Sequence, residues 1–316
     1  MDLLSNDFLT ALIAGGILAG MPLLLAGLGE MVSERAGVLN IGLEGMMLFG
    51  AYIGFVAAYY GGSSWLGFLA GAGAGAALSL IMIVLCVRWG LDQIVVGIAI
   101  TLAAEGATAL IFDAEFAETR PTLGDVNRLS IPGLSRIPVV GGADSSNGSL
   151  FSQPLIVYLS LVLVVFVAWM MRRTHLGLNV RAAGDKPAAL DAAGVSVLGT
   201  RSWACLFAGA MAGLGGAYLS VVAAGLFEPF ITQGRGFIAI VLAMLARGRP
   251  VWVVIGSFLF GISLSISDAL QIAGVDISTD VVFMLPFLTV ILVLVIFGRR
   301  AYLPPALGLP YVRGAR

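Results

Sequence analysis

Residues 34–45 read ERAGVLNIGLEG. They place Glu34, Arg35, Asn40 and Glu44 at the mouth of a long apolar run, interleaved with Gly37, Gly42 and Gly45. Carboxylates and an amide at this spacing can hold a polar solute or bind a neighbouring helix. Glycine lets backbones approach closely or lets a helix break, and in lipid every buried polar group needs a partner. Such a segment belongs inside a helical bundle, beside water or a polar substrate. A second polar stretch, ITQGRGFIAI at 231–240, carries Gln233 and Arg235 beside two glycines, just before a short apolar run. A helix that starts there inside the membrane could turn its first N–H groups toward a ligand. An outer loop anchored at the headgroups is equally consistent with the sequence. Asn40 and Glu44 with Gln233 and Arg235 form the candidate polar path.

The third segment is AAGDKPAALDAAGV, residues 182–195. Pro187 suits the first turn of a helix, with Asp185 or Gly184 as its cap. Ala188, Ala189, Ala192 and Ala193 then share one smooth face, suited to a groove on another protein. An amphipathic helix lying on the membrane is the alternative, and the small side chains and modest charge fit it less well. Glu44, Glu105 and Asp268 fall within apolar runs, where a charge costs at least ~2.5 kcal/mol. Ion coupling is one reading. Interhelical hydrogen bonding or a protonated carboxyl is favoured for Glu44 and Glu105, and Asp268 lies near the outer end of its run, within reach of water. No intramembrane lysine, arginine or histidine is well placed for a proton relay, and intramembrane charges this few and unpaired suit neutral polar solutes better than ions.

Several chemistries are excluded by what is missing. ATP binding through a P-loop needs GxxxxGK[ST], and the single lysine, Lys186, sits in GDKPA. A nucleophile elbow, an HExxH and a Cys–His pair are absent too. Cys86 and Cys205 are isolated, with no metal spacing and no expectation of a disulfide.

The elements that position these residues follow from composition. The chain has 316 residues, 59% hydrophobic and 11% charged, with a net charge of −1 and a mean hydropathy of +1.02. A soluble domain carries about 25% charged residues. The expectation is an all-α polytopic membrane protein, with no sign of nucleic-acid binding. Apolar runs of spanning length lie at roughly 8–29, 38–60, 65–87, 91–112, 154–171, 201–222, 237–250, 251–271 and 280–298. The seventh is short and reads as tilted, broken or partly re-entrant. The acidic N-terminus, with Asp2 and Asp7, does not resemble a signal peptide, so the first run reads as a retained span.

Placing the C-terminus in the cytoplasm puts 13 of the 17 basic residues inside, as positive charge demands. Residues 113–153 then form an extracytoplasmic loop and 172–200 a partly helical cytoplasmic loop. Residues 1–316 as a whole make one transmembrane domain. GVLNI at 37–41 is echoed by GFIAI at 236–240, and each precedes a span opening with tryptophan, Trp65 or Trp252. Spans 1–4 would match spans 6–9 in opposite orientation, an inverted repeat with the substrate path at its interface.

With ERAGVLNIGLEGMMLFGAY, AAGDKPAALDAAGV and GRGFIAI in this order, the chain resembles the permease subunits of ABC importers for nucleosides and simple sugars. It is most similar to the nucleoside type that works with binding lipoproteins of the basic-membrane-protein family. The resemblance covers nearly the whole chain. It implies a cobalamin- or ribose-importer-like permease fold, ten-spanned in the wider family where nine are counted here. It implies alternating access, a second related permease chain forming a heterodimer, a separate ABC ATPase carrying ATP and Mg, and an extracytoplasmic substrate-binding lipoprotein. This chain itself would hold no cofactor and do no catalysis. The family's coupling segment falls on Ala182–Val195, here Gly184, Asp185, Lys186, Pro187, Ala188 and Ala189, and its polar span opening falls on Asn40–Gly45. A branched-chain amino-acid permease and a stand-alone secondary transporter are the rivals.

Overall fold

Apolar runs punctuated by glycine fold into helices here. The computed structural model describes residues 6–124, 126–130, 152–272 and 303–313, together with Met284, Leu288, Thr289, Ile291, Leu292 and Val295. In chain order the elements are α1 (Asn6–Arg35), α2 (Leu43–Gly61), α3 (Ser64–Met82), α4 (Gln93–Phe116), the short antiparallel strands β1 (Arg128–Ser130) and β2 (Ser152–Pro154), and α5 (Leu155–Arg173). They continue with α6 (His175–Asp185), α7 (Pro187–Ala192), α8 (Val197–Tyr218), α9 (Arg235–Ala246) and α10 (Pro250–Ile272). α3 runs on as a π-helical turn over Ile83–Arg88, and α8 does the same over Leu219–Ala223. Side chains supply several helix starts. Asp92 accepts from the N–H groups of Ile94 and Val95 at the head of α4, and Ser196 accepts from that of Gly199 at the head of α8.

This is a mostly helical, polytopic membrane protein. Among the described residues, six helices are long and apolar enough to cross a bilayer: Leu12–Arg35, Leu43–Gly61, Ser64–Arg88, Gln93–Phe116, Leu155–Arg173 and Val197–Ala223. They coincide with the first six runs expected from sequence. The seventh and eighth runs are α9 and α10. The 12 residues of α9 rise about 18 Å, well short of a ~30 Å hydrocarbon core. The ninth run, 280–298, lies outside the continuously described residues. Residues 34 and 35 also sit elsewhere than expected: Glu34 and Arg35 close α1 rather than opening the second span, and α2 begins only at Leu43.

Of these six helices α1, α2 and α8 have the largest shares of buried residues, and α3, α4 and α5 the smallest, so the interior is built around the first three. Small residues set how closely these helices approach. A side chain at Gly20 would meet the Ser257 carbonyl, and one at Gly261 the Gly16 carbonyl, so α1 and α10 touch backbone to backbone. On the other side, Gly213 faces the Gly71 carbonyl and Gly75 the Gly209 carbonyl, which seats α8 on α3 in the same manner.

Candidate functional site

The corner between α1 and α2 is held by side chains that take up its backbone groups. Gly37 turns the chain at φ +92°, a conformation that suits glycine. The Ser33 hydroxyl donates to the Val38 carbonyl, 3.0 Å. The Leu39 N–H donates to Gln93 Oε1 at 2.8 Å, and the Asn40 N–H to Glu30 Oε1 at 2.9 Å. Asn40 is fully buried, with its Nδ2 3.2 Å from the Met46 sulfur. Among the described residues its Oδ1 has no hydrogen-bond partner, and neither do Glu30 Oε2 and Glu34 Oε1.

Glu44, in the first turn of α2, reaches across to the start of α9. Its Oε1 accepts from the Thr232 hydroxyl at 2.5 Å and the Gly234 N–H at 2.9 Å, and its Oε2 from the Gly236 N–H at 2.5 Å. Gly234 opens α9 in the left-handed region, φ +81°. At Gly236 a Cβ would lie 2.5 Å from Glu44 Cα, so only glycine permits this approach. A carboxylate across a helix N-terminus satisfies orphan N–H groups and meets the positive end of the helix dipole. The first N–H groups of α9 are therefore given to Glu44, not left open to solvent.

The four expected path residues are thus brought together only in part. Glu44 joins the α9 start directly, and the buried Asn40 lies four residues upstream of it. Gln233 is exposed, on a left-handed residue with φ +49°. Arg235 is half-buried and its Nη1 donates to the Ile231 carbonyl at 3.3 Å. Glu105 lies half-buried on α4, one turn beyond the Thr101 that packs on Gly45, and within electrostatic reach of Glu44. Asp268 is on α10, with its side chain outside the described residues. The sequence reading missed Glu30, Thr232 and Gln93. Glu30 stands four residues before Glu34 on the same helical face, which is the signal that could have revealed it.

The segment 182–195 is helix–turn–helix. Pro187 occupies the first turn of α7 as expected, but the capping expectation is corrected: Lys186 is the cap residue and its side chain makes no capping bond. Gly184 and Asp185 are instead the last residues of α6. Asp185 pairs with Arg35 across 3.3 Å, and Gly184 packs against the Arg35 carbonyl. Leu190 anchors α7 by burial among Ala183 and Val197. Ala188 and Ala189 remain exposed. With Lys186, Pro187, Pro310, Tyr311 and Val312 they line an open depression of about 560 Å³. Partial burial and the neighbouring Asp191 push the Tyr311 phenol above its ordinary pKa. Cys86 and Cys205 are buried free thiols. Among the described residues no group of three or more His, Cys, Asp or Glu side chains could hold a metal.

Helices of spanning length, a short helix whose start is met by a buried carboxylate, and an exposed small-residue helix at one end define a membrane transport subunit. The chain belongs to the family described as the permease component of the branched-chain amino acid transport system, whose model matches residues 12–295. It is 33% identical over 322 residues to the guanosine ABC transporter permease protein NupQ of Bacillus subtilis, covering 98% of this chain and 99% of that one. It is 29% identical to the nucleoside ABC transporter permease protein NupC of Lactococcus lactis subsp. cremoris, over 96% and 98% of the two chains. A Haloferax volcanii protein provisionally named as glucose ABC transporter permease protein TsgC13 is 37% identical over 86% of this chain and 80% of its own.

Proposed function

We propose that this chain is half of the membrane body of an ATP-driven importer, and that it moves nucleosides across the cytoplasmic membrane by alternating access. The observation that carries the reading is the start of α9. It is a short helix that begins inside the bundle against Glu44, the arrangement from which transporters build mid-membrane sites. The polar path then runs past Asn40, Glu44, Gln233 and Arg235. Neutral polar cargo suits it because the α9 N–H groups are already neutralised. Nucleosides are favoured over glucose because the relatives named for nucleosides and guanosine match this chain over nearly its full length. A sugar or a branched-chain amino acid is the second reading, supported by the glucose-named relative and the family description.

The remaining parts of the machine follow from the same reading. Gly184, Asp185, Lys186, Pro187, Ala188 and Ala189 dock a separate ATPase, which supplies ATP and Mg. A second related permease completes the path, and a binding lipoprotein delivers cargo from outside. We propose nine or ten spans, and matched helix contacts support the inverted repeat among them. Exchanging α1 with α8 and α10 with α3 carries Gly16, Gly20, Ser257 and Gly261 onto Gly209, Gly213, Gly71 and Gly75, with the same carbonyls facing the same positions.

Co-reconstitution with the three partners in liposomes tests this. Radiolabelled guanosine should enter with ATP, and glucose and leucine should not. Ala189→Trp, on the exposed face of α7, should leave permease pairing intact while loosening the ATPase, since ~1.4 kcal/mol of lost interface energy is a tenfold loss of binding. Uptake of leucine or glucose in place of guanosine would overturn the substrate, and full ATPase retention by Ala189→Trp would overturn the docking face.

A further inference from the structure

Arg201, in the second turn of α8, is 2% exposed, and its bonds go to backbone carbonyls from three separate segments. Nε donates to Ala36 O at 3.2 Å, Nη2 to Ala183 O and Ala306 O at 3.3 Å each, and Nη1 to Leu309 O at 2.7 Å. Ala36 follows the last turn of α1, and Ala183 lies in the last turn of α6. Both helices end with carbonyls that need donors, and both present the negative end of a dipole. The guanidinium thus sits where two helix C-termini converge, its charge met by backbone. The third segment, residues 303–313, is laid over the same place. The Ala306 N–H donates to Gly184 O at 3.0 Å and the Gly308 N–H to Gly37 O at 3.1 Å. Arg313 pairs with Asp191 at 3.2 Å. Gly37 is glycine partly because a Cβ there would lie 2.8 Å from Arg201 Nη2.

We infer that Arg201 is a positioning residue for energy coupling, tying the α6–α7 segment, the α1–α2 corner and the 303–313 strap into one body. This rests on the assignment of 184–189 as the ATPase-docking segment. The corner that Arg201 grips at Ala36 and Gly37 leads within eight residues to Glu44, and Glu44 holds the start of α9. A displacement of α7 by the ATPase therefore reaches the candidate path through bonded backbone, with Arg201 as the junction. A lysine cannot substitute: its ammonium is a compact point charge, whereas the planar guanidinium fork reaches separated acceptors at once.

Arg201→Lys tests the role, because it keeps the charge between the two helix ends and removes the fork. The complete reconstituted complex should assemble with normal ATPase retention and a normal rate of ATP hydrolysis. Uptake per ATP hydrolysed should fall about 5-fold or more, the lower end of ordinary coupling between sites. Wild-type uptake per ATP in Arg201→Lys overturns the proposal, and so does a loss of uptake that only tracks a loss of assembly, which makes the residue purely structural. Failure of the underlying docking assignment has a different signature: Ala189→Trp would then retain the ATPase in full, whatever Arg201→Lys does.

Discussion

Glu44 finds its three donors 188, 190 and 192 residues further along the chain, and that separation explains what the sequence could tell of it. A glutamate among glycines at the head of an apolar run must be satisfied inside the bundle, so its importance was legible. Its partner was not, because Thr232 and Gly236 carry no charge that would advertise a carboxylate opposite them. Glu30 escaped notice for a related reason: it lies one residue past the apolar run read as the first span, and only the longer α1 brings it under Asn40. The geometry also changes what a substitution should do. In Glu44→Gln the side-chain oxygen can keep two bonds, while the amide NH₂ faces the Gly236 N–H, donor against donor. Losing one bond to a charged group should cost ~1.5–3 kcal/mol, seen as a lower unfolding temperature in detergent with assembly retained. Glu44→Leu strands all three donors and should fall further, toward loss of the folded permease. An unchanged unfolding temperature for Glu44→Leu would mean that the carboxylate does not hold α9.

At the level of elements, the six long helices could be read from hydropathy because each is a continuous apolar run. The short α9 was read as irregular for the right reason, its glycines and flanking arginines. What closes it is backbone: Gly234 at φ +81° and Arg247 at φ +55° set its two ends. Small residues four apart, at Gly16/Gly20, Gly67/Gly71/Gly75 and Gly209/Gly213, permit close packing but do not say which helices meet, since every such stripe is compatible with any other. The β1–β2 pair left no signal, each strand being three residues long. The mistaken cap at Asp185 came from reading α6 and α7 as one helix start, when Asp185 ends α6 and is drawn to Arg35. The α3–α8 contact gives a direct test. A Cβ at Gly213 would meet the Gly71 backbone, which cannot rotate aside, whereas Gly73, two residues on from Gly71, has nothing within 4 Å. Gly213→Ala should therefore destabilise by ~1–3 kcal/mol or more through overpacking. Gly73→Ala should be neutral or gain up to ~1 kcal/mol of helix propensity. Equal thermal stability of the two variants would show that the stripe is not the packing seam.

For the whole molecule, composition alone set the class, because 11% charged residues cannot cover a soluble surface of this size. Orientation in the membrane depends on a subtler balance, the placement of arginine. Contacts gather Arg35 and Arg201 at one end of the bundle: Arg35 pairs with Asp185, Gly248 packs against the Arg35 side chain, and Arg201 bonds the Leu309 carbonyl. That end also carries α7 and the strap. A bilayer retains positive loops on its cytoplasmic side, so the end bearing α7 should face the cytoplasm, with the connection between α4 and α5 on the opposite side. Two single-cysteine chains decide this once Cys86 and Cys205, both buried, are replaced by serine or alanine. A membrane-impermeant maleimide applied to intact cells should label Ser145→Cys, in the segment expected outside. It should leave Ala188→Cys untouched until the membrane is opened, after which Ala188→Cys should label readily because the residue is exposed on α7. Labelling of Ala188→Cys in intact cells, with Ser145→Cys protected, would turn the molecule over. The α7 face would then lie outside, where no ATP-driven partner could reach it, and the import reading would lose its engine.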